Sequence, residues 1–549
     1  KIVPITEFNI PPALPAASPW DLPPIIPIPG ARYPLEKAIK PDVAPLPVVP
    51  YYYPYGYYER DSARRREREE FFRGRFSDNL RNNPEVALSF DNEAKDYLKR
   101  NQDINPGYIN ETSAIMEQEE MQEKMDNKCR VAVCISAYDL GEGKVAGHAL
   151  DLYRKQIENG SVKPEEFEII LFLNHPKDKL DKMQIKDGAE ERVKNGAPEA
   201  YDTEEVVKQY KEKYPELKIR VMKKEFDKRP PWGQIIKYNY DAAILRASER
   251  DKAEVKDIIL VTNDIDVRDM TDTYIRDIID IFDKNEKDSA KNNKEKIDAC
   301  VGRIDYGQEV YQKWPTFFVA TRFEQLLGSQ LRQGYGSGND KQIGKQISSD
   351  YLGGTKEKSV RTSGDNTAMK GSIYCAIGGP NIESDCGADT ELGDMINVAR
   401  RADESKKPKV IIYKNRLWRD TDPRRQIETY KEGKPVVHAW ANWAGMTVYG
   451  KSFEEQIDGE EEKLNAKRLE FEFNAAIGAY WVPVDSNIVK RALHWLGLKD
   501  KDYTIENGGI KILELKNVQA NVDKWKPKRE LWKTAKGRNP IRVKSLYEI

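Results

Sequence analysis

The sequence predicts an α/β fold whose core is a mostly parallel sheet flanked by helices. Two observations predict it. Between Lys128 and Gly445, short apolar runs alternate with amphipathic segments of helical spacing, the pattern of repeated strand–helix–strand units. One of these runs, from Ile258 to Val261, is apolar without interruption, as in a strand covered on both faces, and leads directly into Asp264 and Asp266. At 549 residues the chain is too long for one small core, so this central region is expected to carry extensions on both sides.

Taken in order, residues 1–58 hold nearly half of the 31 prolines and end in a tyrosine-rich run from Tyr51 to Tyr58. Proline fixes φ and removes an amide donor, so neither helices nor central strands can form there, and an extended arm is expected. The arm is rich in Ile, Val, Leu and Tyr, unlike a purely solvated tail, so one reading lays it along a surface, its own or that of a partner. The other reading is a plain linker. A charged connector, 59–127, follows; its run from Arg64 to Glu70 mixes signs and favours a solvated helix.

In the central region, 128–445, strands are expected at Arg130–Ala137, Glu168–Leu173, Ile219–Met222, Asp257–Thr262 and Ala299–Arg303. Helices are expected at Gly147–Asn159, Thr203–Tyr214, Trp232–Ser248 and Thr273–Asp283, and the lysine-rich stretch Lys284–Lys296 as a surface loop. Beyond it, 446–549 reads as an α+β extension with folded segments at Glu470–Val482, Ile488–Leu496 and Gly509–Leu515, none of which names a chemistry.

The totals exclude some classes. Lys plus Arg (90) and Asp plus Glu (91) nearly cancel, which gives no electrostatic reason to expect nucleic acid or a membrane surface as partner. No apolar run approaches the ~18–20 residues of a membrane span, so a soluble, cytoplasmic protein is expected; a removed leader stays open. Five scattered cysteines lack the close pairs of zinc or redox motifs, and Cys134 and Cys300 lie in strand-like runs as buried, inert thiols.

The chemistry concentrates at strand ends. Ligands of open α/β sheets collect at the carboxyl ends of the strands, where Asp264 and Asp266 fall. Two hard oxygen donors suit Mg²⁺ or Mn²⁺ bridging a diphosphate, because such ions complete their shell with phosphate and water. A lone Asp-x-Asp is also a common surface turn. About a hundred residues later, Gly364, Asn366, Ala368, Lys370, Tyr374, Gly378 and Gly379 punctuate a glycine-bounded loop, a short helix and a turn, followed by Asp389 and Glu391 at a second helix start. That arrangement would make a binding wall with a carboxylate held at a helix N-terminus.

At this point the chain resembles the GT-A glycosyltransferases, above all the large family 2 group. Members of that group carry G-x-N-x-A-x-(R/K)-x-x-x-(Y/F)-x-x-x-G-G and then an acidic pair entering a helix. Other segments match in order. Arg130 to Asp139 is similar to the opening strand and its turn, with Ser136 in place of a proline; Ala137, Tyr138 and Asp139 would meet base and ribose. Glu168 to Asn174 is similar to the second strand, with Asn174 in place of the acid that touches the base. Trp232 to Ala243 resembles the helix before the metal motif, with Lys237 in place of alanine and Asn239 retained. About three hundred residues are covered.

The resemblance implies a GT-A fold and a metal-dependent, hexosyltransferase-like enzyme. It would move a sugar from a UDP- or GDP-linked donor to a hydroxyl of a glycan, protein or small molecule. Asp264 and Asp266 would hold Mn²⁺ or Mg²⁺, with His438 as a third ligand or a purely structural histidine. Asp389 would be the base that takes the acceptor proton, with Glu391 as a competing base and a plain helix cap as the alternative for Asp389. Gly364, Asn366, Tyr374, Gly378 and Gly379 would form the acceptor wall. Arg424 and Arg425, at the end of the basic stretch from Arg416, would come from a mobile loop to the leaving diphosphate or form a solvated turn. Nucleotidyl transfer is disfavoured, because the Gly-rich loop it needs after the first strand is missing. A structural or assembly protein on the same fold, working through its N-terminal arm as a homo-oligomer or with another protein, is the competing class.

Overall fold

The computed structural model describes residues 97, 116–138, 142–176, 203–227, 230–250, 258–292, 297, 299–306, 310, 313–334, 366–380, 392, 411–438, 461–479 and 482–523. The proline-rich arm and the charged run from Arg64 lie outside them.

Eight strands form one sheet: β1 Val131–Tyr138, β2 Phe167–Pro176, β3 Ile219–Phe226, β4 Ile259–Asp264, β5 Val267–Met270, β6 Ala299–Asp305, β7 Thr367–Lys370 and β8 Ile411–Thr421. Their order is β3-β2-β1-β4-β7-β6-β8-β5. β3, β2, β1 and β4 are mutually parallel; β7 runs antiparallel between β4 and β6, β8 is parallel to β6, and β5 closes the edge antiparallel to β8. Six strands therefore point one way. The chain leaves β1 toward β2 and β3, then returns to β1's other side with β4, so the connections diverge between β1 and β4 and open a crevice at their carboxyl ends.

All five expected strands are present. Their apolar residues, such as Val131, Val133 and Ile135 on one face and Ala132 and Cys134 on the other, bury on both sides of the sheet. One face is covered by α4 (Trp232–Ser248), whose Ala242, Ala243 and Ile244 lie against Ile170, Phe172 and Leu260. The other is covered by α2 (Gly143–Glu158), α3 (Thr203–Lys213) and α5 (Tyr274–Asn292). A third apolar cluster joins α6 (Pro315–Gly334) and α8 (Arg424–Lys431) to the C-terminal extension. The extension comprises α9 (Ala466–Ala479), α10 (Asn487–Trp495), the hairpin β9 (Tyr503–Glu506) and β10 (Gly509–Ile512), and a helix at 516–523. Phe323 and Phe473 stack there with centroids 4.1 Å apart.

Three elements correct the sequence expectation. α5 continues to Asn292, through most of the stretch expected as a loop, because Lys and Glu are good helix formers. The basic stretch from Arg416, expected as a mobile loop, is the end of β8 followed at once by α8. Its buried Leu417 and Arg419 are what bind it to the sheet.

The connector before β1 also belongs to the core. α1 (Glu119–Gln122) supplies Met121, buried with Met125. The Gln118 amide donates to the Lys223 carbonyl (2.8 Å) and accepts from the Lys223 amide (3.0 Å), and Glu120 accepts from the Val221 amide (2.9 Å). Side chains thus satisfy the open edge of β3, where an unpaired strand would otherwise be exposed. Beneath them, Arg246 forms a two-pronged buried pair with Glu168 (2.7 and 2.9 Å) and donates to the Met121 carbonyl (2.8 Å).

Candidate functional site

The crevice between β1 and β4 is lined by strand-end residues whose register aligns them. Ser136 of β1 is level with Asp264 of β4, and Tyr138 is level with Asn174 of β2. Asn174 is 2 % exposed; its amide nitrogen donates to the Ala137 carbonyl (3.0 Å), and its buried Oδ1 has no hydrogen-bond donor among the described residues. Asn239, from the middle of α4, is equally buried; its amide nitrogen lies 3.5 Å from Ser136 Oγ, and its Oδ1 likewise has no donor among the described residues. A buried acceptor without a donor costs about 1–3 kcal/mol, so two around one strand end mark a place suited to a ligand that brings N–H or O–H groups.

Alternation along β4 separates its polar residues by face. Thr262 makes a short contact with Tyr240 of α4, whereas Asn263 turns the other way, donating to the Tyr153 hydroxyl and accepting from Arg419 (2.6 Å). Asp264 shares the Thr262 face at the strand end and is half-buried. Asp266 differs: it is 3 % exposed, its Oδ1 accepts from the Thr421 hydroxyl (3.0 Å), and its carbonyl accepts from the Asp422 amide (2.9 Å). Asp266 thereby ties the β4–β5 turn to the end of β8. Asp420 and Asp422, also buried beside that junction, were not distinguished by the sequence, since only the β5–β8 pairing brings them near Asp266.

Among the described residues no group of three or more His, Cys, Asp or Glu is arranged to hold a metal ion. Of the expected ligand set, Asp264 lies at the crevice, Asp266 is engaged by β8, and His438 lies in the 3-10 turn Val436–His438, of which the structure describes the backbone at that residue. Arg424 and Arg425 open α8, again described by backbone. Asp139, Gly364, Asp389 and Glu391 lie outside the described residues.

Three residues stand elsewhere than expected. Lys237, expected beside the donor, is 4 % exposed and points away from Asn239. Its ammonium pairs with Asp241 one turn on (3.3 Å), donates to the Gly378 carbonyl (3.2 Å) and contacts the Tyr97 hydroxyl. Tyr374, expected on the acceptor wall, is fully buried and donates to Asp241 (2.8 Å). Asn366, expected on the same wall, is a brace. It accepts from the Tyr274 hydroxyl (2.7 Å), donates to the Leu417 carbonyl (2.7 Å), and its backbone bonds to Thr262 and Gly302. Its φ of 55° suits asparagine, which tolerates the left-handed region better than most residues. Gly302 lets this brace approach: a Cβ there would sit 2.0 Å from the Leu417 carbonyl oxygen and 2.4 Å from the Asn366 amide. Gly378 and Gly379 form a left-handed turn after α7 (Gly371–Ile377), with φ of 84° and 73°.

Cys129, Cys134, Cys300 and Cys375 are buried, and burial pushes the thiols of Cys129 and Cys134 well up, away from the reactive thiolate. No helix among the described residues is long and apolar enough to cross a membrane. Searched against family models and curated proteins, the chain matches none.

Proposed function

We propose that the chain is a metal-dependent glycosyltransferase of the GT-A type, moving a sugar from a UDP- or GDP-linked donor to a hydroxyl acceptor. The observation that carries this reading is the pair of donor-less amide oxygens, Asn174 and Asn239, flanking the end of β1 in the crevice where Asp264 also lies. An imide N–H of a base and a ribose hydroxyl are groups that would satisfy them, and buried acceptors of this kind discriminate strongly against ligands lacking a donor.

Asp264 fits a divalent ion that takes most of its ligands from diphosphate and water, a habit of Mg²⁺ and one open to Mn²⁺. When bound, such an ion supplies positive charge to the departing diphosphate. Asp266 acts by holding the β4–β5 turn against Thr421, which fixes where the Asp264 backbone stands. Asp389 is the proposed base for the acceptor hydroxyl, with Glu391 as the alternative. Arg424 and Arg425 open the helix that follows the Thr421–Asp422 junction held by Asp266 and are the proposed contributors to the diphosphate, with His438, in the 3-10 turn beyond that helix, as the proposed third metal ligand.

The inward turn of Asp266 also favours a second reading, an assembly protein that keeps the fold and works through its arm. Calorimetry with UDP and with GDP, with and without Mn²⁺, on the wild-type chain and Asp264→Asn separates the two. Metal-dependent binding weakened at least tenfold in the variant supports the enzyme; no binding of either nucleotide supports assembly.

A further inference from the structure

Among the described residues, Lys237, Asp241, Tyr97 and Tyr374 form a buried cluster apart from the proposed nucleotide site. Tyr97 and Tyr374 both donate to Asp241 Oδ1, at 2.7 and 2.8 Å, while Lys237 pairs with the same carboxylate and contacts Tyr97. The rings of Tyr97 and Tyr374 meet edge to face with centroids 5.7 Å apart, and the Lys237 ammonium lies 4.8 Å from the Tyr97 ring centre. Burial, reinforced by the Asp241 charge, pushes the Tyr97 phenol well above its usual value, so it remains a donor. Among the described residues the cluster sets one cation beside one anion, and both hydroxyls donate to the carboxylate.

The Gly378–Gly379 turn lies against this cluster. Lys237 holds the Gly378 carbonyl, and a Cβ on Gly379 would lie 2.8 Å from the Tyr374 hydroxyl and 3.0 Å from both the Lys237 ammonium and the Tyr97 hydroxyl. The turn is thus moulded on polar atoms from three separate parts of the chain: the connector, α4 and α7. An apolar plug of similar volume would often be equally or more stable than a buried ion pair, so directional bonds here serve to select one geometry. α4 carries both functions at once, since Asn239 faces β1 from the same helix on which Lys237 and Asp241 face the turn.

We propose that Tyr97 and Lys237 are positioning residues that set the Gly378–Gly379 turn, so that the connector preceding the sheet fixes the acceptor side of the site. This rests on the glycosyltransferase reading for the word acceptor, and on geometry alone for the hold on the turn.

The test uses the full chain with Tyr97→Phe and, separately, Lys237→Met. Hydrogen exchange is followed in peptide 371–380, with α9 as a remote control, beside calorimetry with UDP or GDP plus Mn²⁺ and hydrolysis of UDP-glucose and GDP-mannose. The expected result is at least tenfold faster exchange in 371–380 and unchanged exchange in α9. Nucleotide affinity should stay within twofold, and kcat should fall at least tenfold at unchanged donor KM. Unchanged exchange at the turn, or acceleration spread equally to α9, overturns the proposal, as does a loosened turn with kcat intact. If Lys237→Met does not fold, Tyr97→Phe, which removes one hydroxyl, decides. If the wild-type chain binds neither nucleotide, the functional reading falls, and exchange at the turn still settles whether these residues hold it.

Discussion

The strand ends at β1, β2 and β4 and the stretch from Asn366 to Gly379 are built from the same kinds of residue, yet their polar groups are in opposite conditions. At the strand ends, Asn174 and Asn239 each use the amide nitrogen within the protein and leave a buried oxygen without a donor. In the other stretch, Asn366 engages both ends of its amide and Tyr374 gives its hydroxyl to Asp241. The first arrangement gives up stability to keep acceptors available; the second uses polar groups to fix the shape of a wall. Within these two stretches, the buried amide oxygens that lack a donor among the described residues lie at the strand ends.

The scaffold should break hardest where charge is most deeply buried. Arg246→Met leaves Glu168 buried without its two-pronged partner and should cost about 3–5 kcal/mol, read as a shift in the urea midpoint. Gly302→Ala inserts a methyl against the Leu417 carbonyl and the Asn366 brace, for which about 1–3 kcal/mol is expected, with β6, β7 and β8 loosening together in hydrogen exchange.

A third scaffold prediction concerns pH. Glu472 of α9 accepts from the Val436 amide (2.8 Å) and pairs with Arg468 (2.6 Å), which itself donates to the Lys434 carbonyl. Burial pushes the Glu472 carboxyl up from 4.5 to about 7, against the pull of Arg468. In that window the folded chain holds a proton that the unfolded chain has released, so stability falls as pH rises from about 4.5 to about 7, by up to ~3 kcal/mol. Denaturation midpoints across that range should show the decline, and Glu472→Gln should flatten it.

At the strand ends the same logic predicts a small effect on stability. Asn174→Ala removes an unsatisfied oxygen and one hydrogen bond to Ala137, so its effect on stability should stay within about 1 kcal/mol. Nucleotide affinity should nonetheless fall about tenfold in calorimetry. A variant that loses stability and keeps affinity would place Asn174 with the scaffold.

The parallel half of the sheet was legible because its strands are uninterrupted apolar runs, and the crevice followed from where those runs end. β5, β7 and β8 were not legible: the first two have four residues each, and β8 carries Lys414, Arg416, Arg419 and Asp420 within one strand. The interior roles of Lys237, Tyr374 and Asn366 were equally hidden. Spacing shows which residues recur in a motif, but whether a side chain faces a ligand or a partner 140 residues away is decided by packing. Tyr97 gave no local signal, and only the fold brings it to Lys237 and Asp241.

The most direct test of the crevice as a nucleotide site is calorimetric titration of the wild-type chain with UDP and GDP in Mn²⁺, repeated without metal and with Asp264→Asn. Binding of one nucleotide that requires the metal and weakens at least tenfold in the variant is the expected result. Binding of neither nucleotide, or binding indifferent to both metal and Asp264, would contradict it.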